Sequence, residues 1–346
     1  MLLTIGLAAA IGATGGIRPD PIFQRVLVAS NPYARRLDNR LAELVSRGFS
    51  GTVLVARDGH IILYKGYGLA DREHAVPATA VTRYPLGAVA NTFVATAMMT
   101  LEGQGVVAMD DQIGKYLADA SAADASIEQL LRRDLEPVRV ADAGGIVPAG
   151  FSRAGDEPTI EPVERFASVG GSYPLLERLV EERSGMRYQE FVWRYYFDRG
   201  RMTRTGWVTP ETPDVARGYG WPGTPPIAAT GIVAPLSDMY IWTLHLRGDG
   251  LLSDAQKLRM YSAGANGYGY GIVVGRTAWG SPVIQHAGDA PGFQAWYARY
   301  PKDHDTVILL AVNTSAGWRS AAAAEIEKVL FGKKAEKGAR KAMAAR

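Results

Sequence analysis

The order of apolar patterns along this 346-residue chain predicts an α/β (α+β) fold built around one antiparallel sheet. Two short apolar segments flank the dipeptide Asp58-Gly59, which is typical of a tight hairpin turn. Four further segments with strand spacing follow Gly267, and the long stretch between the two groups has mainly helical spacing. We therefore expect the N- and C-terminal segments to form the sheet together, with flanking helices and an inserted, mainly helical lobe.

The elements of the first half follow from the spacing of apolar side chains. Tyr33–Gly48 carries its leucines on one helical face, and Thr52–Ala56 and Ile61–Tyr64 are the strands of the predicted hairpin. Ala88–Leu101 is almost entirely small or apolar, which predicts a helix buried on every side. Ile127–Arg132 has the pattern of a short amphipathic helix.

Helices and then strands are expected in the second half. Tyr173–Arg183 and Leu236–Leu246 have helical spacing, and Ala321–Leu330 is a final amphipathic helix. The four expected strands are Tyr268–Val274, Val283–Gln285, Gln294–Tyr300 and Thr306–Val312.

No linker or internal repeat divides the chain, so we expect a single domain over residues 30–330. Its sheet lobe is expected at about 30–80 and 265–330, and its helical lobe at about 81–264. Residues 331–346 are expected to form a basic tail.

Residues 1–20 are a candidate leader. Met1–Gly16 has no charged residue and is similar to the apolar part of a secretory signal, although no Lys or Arg precedes it. It is shorter than the ~20 residues of a membrane span, so we expect no transmembrane helix. A leader predicts export, with the periplasm as the expected location. The alternative is a buried or disordered N-terminal segment.

Composition limits the chemistry that the chain can perform. There is no cysteine, which excludes disulfides, cysteine-based zinc sites and a thiol nucleophile. None of the five histidines has metal-ligand spacing to another and no phosphate-binding glycine loop is present, so we expect no metal and no cofactor. The net charge is +3, and no basic stripe with interleaved aromatics is present, so nucleic acid is not an expected partner.

Five motifs in order give the chain a family resemblance. Together they resemble the serine β-lactamase-related group, which includes class C-type β-lactamases, D-alanyl-D-alanine peptidases and related esterases. The resemblance extends from about Gly51 to Ala316 and implies a β-lactamase/transpeptidase-like fold. The motifs are Ser50–Val55 with Gly66–Gly68, Leu86–Phe93, Phe166–Leu176, Thr230–Val233 with Ser237–Met239, and His286–Phe293.

The catalytic side chains that this resemblance implies are missing. Active relatives begin the nucleophile helix with Ser-x-x-Lys, because residues three apart share a helical face and the amine reaches the hydroxyl. The corresponding positions are Ala88 and Asn91. The family's Tyr-x-Asn motif corresponds to Ser168 and Gly170. We therefore expect four active-site side chains to have been lost together.

No replacement for the nucleophile is evident. Ser-x-x-Lys and Gly-x-Ser-x-Gly occur nowhere in the chain. Thr92 lies one position beyond Asn91, about 100° around the helix, and should not face the same site. Where active relatives have His-Thr-Ser-Gly, this chain has Arg133-Asp134-Leu135-Glu136, and the stretch from there to Phe166 is short, so part of the rim of the cleft is expected to be missing.

One element of the family's site is retained. By resemblance, the strand with His286, Ala287 and Gly288 lines the pocket, and its backbone helps to form the oxyanion hole. The helix start at Ala88 also keeps its free N–H groups and partial positive charge. We therefore expect a ligand contact at His286, Ala287 and Gly288. The alternative is that His286 is a hydrogen-bonded structural residue.

Three functions remain open at this point. The first is a pseudoenzyme that binds a small peptidoglycan-like or acyl ligand, or a protein partner. The second is an active hydrolase of the β-lactamase, peptidase or esterase type that uses an unrecognised nucleophile. The third is a purely structural subunit whose cleft is filled by side chains.

Overall fold

The computed structural model describes residues 26–120, 122–134, 172–220, 225–264, 266–277, 279–314 and 317–344. The strands are β1 (Leu27–Val28), β2 (Gly51–Arg57), β3 (His60–Tyr67), β4 (Leu69–Asp71), β5 (Val76–Pro77), β6 (Tyr84–Pro85), β7 (Gly206–Trp207), β8 (Ile232–Ala234), β9 (Val273–Arg276), β10 (Pro282–Ala290), β11 (Phe293–Tyr300) and β12 (Thr306–Val312). The helices are α1 (Pro32–Val45), α2 (Asn91–Gly103), α3 (Ile127–Leu131), α4 (Ser172–Ser184), α5 (Tyr188–Val192), α6 (Leu236–Arg247), α7 (Asp254–Met260) and α8 (Trp318–Ala344).

A seven-stranded antiparallel sheet with the order β1-β3-β2-β12-β11-β10-β9 forms the centre of the fold. The first and last parts of the chain meet where β12 pairs with β2, with Leu309 opposite Leu54. Asp58 and Gly59 both have positive φ, at 48° and 79°, and close the hairpin between β2 and β3. The predicted β-lactamase-like architecture, an antiparallel sheet built from both ends of the chain, is therefore confirmed.

Helices cover both faces of the sheet. Leu37 and Leu41 of α1 pack with Ile326 of α8 against one face. The other face supports the helical part of the chain, whose centre is α2 with Phe93 and Met98 fully buried. Because both faces are covered, β12 is buried along its whole length and reads as a continuous apolar run.

Two expected elements begin later than their apolar pattern indicates. Residues Gly87–Ala90 form a tight 3₁₀ turn, and the α-helix starts only at Asn91. The strand expected from Tyr268 starts at Val273, because residues 269–272 form a turn in which Gly269 donates its N–H to the Ile272 carbonyl at 2.8 Å. Both segments are apolar, and apolarity alone does not distinguish a turn from the element that follows it.

Two other elements are longer than expected. β10 extends to Ala290, so His286, Ala287 and Gly288 are sheet residues paired with β11. The final helix continues to Ala344, through most of the basic segment. In the described ranges, no helix combines the length and apolarity needed to cross a bilayer.

Candidate functional site

The candidate site lies where β10 meets the 3₁₀ turn before α2. Gly288 packs directly against this turn: a Cβ added to Gly288 would overlap the Leu86 carbonyl and lie 2.9 Å from the amide nitrogen of Ala88. Gly87 packs in the same way against Gly288 and Asp289. Only residues without side chains at these two positions let the strand and the helix start approach so closely.

Solvent reaches the turn. Leu86 and Val89 are buried, whereas Ala88 and Asn91 are half-buried. No side chain caps the 3₁₀ turn or the start of α2. The N–H of Val89 bonds to the Leu86 carbonyl at 3.2 Å, and that of Asn91 bonds to the Ala88 carbonyl. The N–H groups of Gly87 and Ala88 are therefore the candidates for a ligand contact at this helix start, which carries the partial positive charge of a helix N-terminus.

Ala88 and Asn91 put a methyl group and an amide at this accessible position. Thr92 is the nearest hydroxyl in sequence, but it is buried and faces the helical core. Its Oγ1 donates to the Val89 carbonyl at 3.0 Å and accepts a hydrogen bond from the Trp242 indole at 3.0 Å. It is therefore committed to packing and does not line the turn.

His286 lies two residues before Gly288 and on the same face of β10, and its side chain is 1% exposed. Its Nδ1 lies 2.7 Å from the Ala287 carbonyl, which can only accept, so Nδ1 carries the proton. Nε2 then accepts a hydrogen bond from the Tyr268 hydroxyl. Both ring nitrogens have partners within the protein, which is the arrangement of a structural histidine.

Burial is the main reason why the pKa of His286 is lowered to about 4. The hydrogen bond to the Ala287 carbonyl partly opposes this, and the charges of Arg133 and Arg319 add to the lowering. At neutral pH the imidazole is therefore uncharged. It acts as a fixed acceptor for Tyr268 and carries no charge at the site.

Two arginines place positive charge on either side of this segment of β10. The guanidinium of Arg133 lies 5.4 Å from the centre of the Tyr268 ring. On the opposite face, the buried Arg319 of α8 donates to the Gly288 carbonyl at 3.2 Å and to the Asp289 carboxylate at 2.8 Å. The charge of Arg319 is compensated by its ion pair with Asp289, so Arg133 supplies the positive charge on the side of the cleft.

A polar cluster fixes the chain beside Arg133. Arg132 donates to Glu128 at 2.9 Å and to the Ser262 carbonyl at 2.6 Å, and Tyr270 donates to the same carboxylate at 2.8 Å. Asn266, which lies just before Tyr268, donates to the Arg132 carbonyl at the end of α3 at 2.8 Å. These contacts tie the end of α3 to the turn that carries Tyr268.

The sequence analysis missed Tyr268 and Tyr270 as members of the site, because their pattern was interpreted only as a strand. Alternation of Gly and Tyr over Gly267–Gly271 was a usable signal, since glycines permit turns and buried tyrosines seek hydrogen-bond partners. Ser168 and Gly170 lie outside the residues that the structure describes. Among those that it does describe, no three His, Asp or Glu side chains converge on a metal-sized site.

Comparison with known proteins identifies the family of this chain. The Beta-lactamase family model matches residues 37–331, most of the sequence. The chain belongs to the Beta-lactamase family. The family includes serine hydrolases, and the expected family and fold are both confirmed.

Relatives of several kinds share this similarity. PbpX of Bacillus subtilis (strain 168) is 24% identical over 307 residues, which cover 81% of this chain and 73% of PbpX. A D-aminopeptidase of Brucella anthropi is 25% identical over 283 residues, covering 72% of this chain but 54% of that protein. The structure of the octameric penicillin-binding protein homologue from Pyrococcus abyssi superposes with a TM-score of 0.71 at 20% identity, over 88% of this chain and 78% of that one.

Proposed function

We propose that this chain is a catalytically degenerate member of its family, which binds a ligand in the inherited cleft without hydrolysing it. The observation that carries the proposal is Ala88, a half-buried alanine at the turn that packs against Gly288. An alanine methyl cannot form an acyl-enzyme, and the amide of Asn91 is not a base that could activate a water molecule.

The ligand is an acyl or peptidoglycan-like small molecule, or a chain terminus of a protein partner. Uncapped amide groups at the turn favour a carbonyl or carboxylate oxygen. The positive charge of Arg133, beside the Tyr268 ring, favours a ligand that carries negative charge. His286 and Gly288 are both buried and position the strand against the turn, while the half-buried Ala88 and Asn91 supply the surface that a ligand would contact.

Residues 30–330 then form the binding domain, and the uncharged segment Met1–Gly16 is a leader for export to the periplasm. A periplasmic location would bring the cleft into contact with peptidoglycan fragments.

An active hydrolase is the second candidate, and the named activity of the Brucella relative supports it. It needs a hydroxyl within reach of a base in the cleft. Thr92 does not satisfy this requirement, since its Oγ1 is bonded to Val89 and Trp242. A structural subunit with a filled cleft is less well supported, because Ala88 and Asn91 remain solvent-accessible.

Acylation is the direct test. The purified protein is incubated with a fluorescent penicillin and, separately, with an activated ester, and intact mass is measured. We expect no adduct and no turnover. A matched variant, Ala88→Ser with Asn91→Lys, restores the Ser-x-x-Lys spacing in the same scaffold and tests whether the cleft admits the probe.

The two proteins together separate the hypotheses. A mass adduct on the unaltered chain would overturn the proposal, and peptide mapping would then identify the nucleophile. An adduct on the double variant alone supports it, because the cleft then accepts the acyl donor and lacks only the chemistry. Ligand binding by the unaltered chain is measured as a thermal shift with non-hydrolysable acyl-D-amino acids, and a complete lack of shifts would favour the structural subunit.

A further inference from the structure

Four segments that are distant in sequence meet at one end of the molecule, which we call the basic end. The turn between β2 and β3 contacts the turn before β12, since Asp58 donates its N–H to the His304 carbonyl at 2.7 Å. The start of α1 is adjacent, because Arg57 stacks over the Tyr33 ring at 4.6 Å. Lys334 of α8 joins them through its ion pair with Asp303.

α8 runs antiparallel to α1, so that its backbone extends toward the basic end. Its first residue, Trp318, contacts Phe49 just after the end of α1, with ring centres 6.2 Å apart. Lys334 lies further along α8, at the end of the molecule where α1 begins. The helix backbone continues to Ala344, about 15 Å further at about 1.5 Å per residue.

Positive charge is concentrated at this end. Residues 335–344 contain Lys337, Arg340 and Lys341 against one acidic residue, Glu336. Further exposed cations are contributed by the first turn of α1 and the turn before β12, namely Arg35, Arg36 and Lys302. Among the acidic side chains nearby, Asp303 pairs with Lys334, and Asp305 pairs with Arg247 and Arg299. Asp58 is exposed and lies 3.1 Å from the His304 imidazole, so it offsets one of these positive charges.

We propose that the basic end is a docking surface for an anionic lipid membrane. Lys and Arg clusters beside a helix are attracted to the negative surface potential of anionic lipids, and each residue contributes about fivefold to binding. Tyr33, which is 40% exposed at the same end, adds an aromatic ring of the kind found at membrane interfaces. This surface is separate from the cleft and does not depend on the cleft's chemistry.

A lipid surface fits these features better than nucleic acid does. Among the described residues at this end, Tyr33 is the one exposed aromatic side chain, so a nucleic acid would find no row of aromatic platforms on which its bases could stack.

Vesicle co-sedimentation of the full chain tests the proposal. The probe is vesicles of phosphatidylglycerol with phosphatidylcholine, compared with phosphatidylcholine alone. One variant carries Lys337→Gln, Arg340→Gln and Lys341→Gln. A matched control removes the same charge from exposed arginines of the helical part, Arg183→Gln, Arg187→Gln and Arg194→Gln.

We expect binding to the anionic vesicles only, weakened about 100-fold in the first variant and unchanged in the control. Added salt should weaken the binding, because it screens surface charge. Circular dichroism and thermal unfolding of both variants show whether the fold is retained. Equal binding to neutral vesicles, equal loss in both variants, or tighter binding to a DNA duplex than to the anionic vesicles would overturn the proposal.

Discussion

Tyr268 donates its hydroxyl hydrogen to Nε2 of His286, and this bond fixes the tautomer of a histidine that is buried beneath the candidate cleft. The second nitrogen of the ring donates to the Ala287 carbonyl. The contact with Tyr268 joins the turn after α7 to the strand that carries Gly288, and the contact with Ala287 fixes the orientation of the ring on that strand. The retained histidine of the family motif thus holds the site's architecture.

Removing the phenolic hydroxyl should leave Nε2 of His286 buried without its donor. We expect Tyr268→Phe to lower the free energy of unfolding by about 1–3 kcal/mol, the cost of an unsatisfied buried polar atom. Urea unfolding measures the loss. Nitrogen chemical shifts of the imidazole, compared between the two proteins, report the change at Nε2, and unchanged shifts would contradict the assigned bond.

The pKa of about 4 for His286 predicts a specific pH dependence of stability. The folded protein holds the ring neutral, whereas the unfolded chain binds a proton near pH 6.5, so protonation favours unfolding. Stability should be highest above pH 6.5, fall between pH 6.5 and about 4, and change no further from this group below that range. The full effect is on the order of 3 kcal/mol.

A variant separates the contribution of His286 to the pH dependence of stability from the contribution of the carboxylates. His286→Gln keeps an acceptor for Tyr268 but does not titrate in this range. The difference in unfolding free energy between the two proteins should shrink as the pH falls from 6.5 to 4. A constant difference across this range would show that the ring titrates normally in the folded state.

Asn313 is expected to be a sensitive position for stability. Its buried Nδ2 donates to the carbonyls of Leu69, Ala70 and Arg217 at 3.0–3.1 Å, which ties the residue after β12 to β4 and to the loop that carries Arg217. Asn313→Asp removes the donor and places a carboxylate against carbonyl oxygens. We expect a loss of about 3–5 kcal/mol in urea unfolding, the scale for an uncompensated buried charge.

The half-buried Asn91 provides the comparison for Asn313. Asn91→Ala should change the unfolding free energy by no more than about 0.5 kcal/mol, because it lies at a partly exposed helix start. Similar losses for the two asparagine variants would contradict the role assigned to Asn313.

A substitution at Gly288 tests whether β10 approaches the helix start as closely as the structure shows. In Gly288→Ala the added methyl would overlap the Leu86 carbonyl, so the backbone must shift, at a cost of about 1–3 kcal/mol. Gly206→Ala is the control, since a Cβ there meets nothing within 4 Å. Thermal unfolding should separate the two variants, and an equally small effect in both would mean that the contact is looser than described.

Much of the architecture could be predicted from the sequence because its signals are local. The Asp58-Gly59 turn and the apolar alternation of the strands specify a hairpin and an antiparallel sheet wherever they occur. Element starts were less predictable. The 3₁₀ turn Gly87–Ala90 and the turn before Val273 depend on contacts with β10 and α7, which lie far away in sequence.

The sequence by itself determined the family, because the order of the motifs is a property of the chain. It also determined that positions 88 and 91 carry no hydroxyl and no amine, because Ala88 and Asn91 lack these groups. Only the tertiary structure decided that His286 is neutral and bonded to Tyr268, and that Lys334 of α8 pairs with Asp303 in the turn before β12. The physical reason is that burial, tautomer and electrostatic environment are set by neighbours in space, and these come from remote parts of the chain.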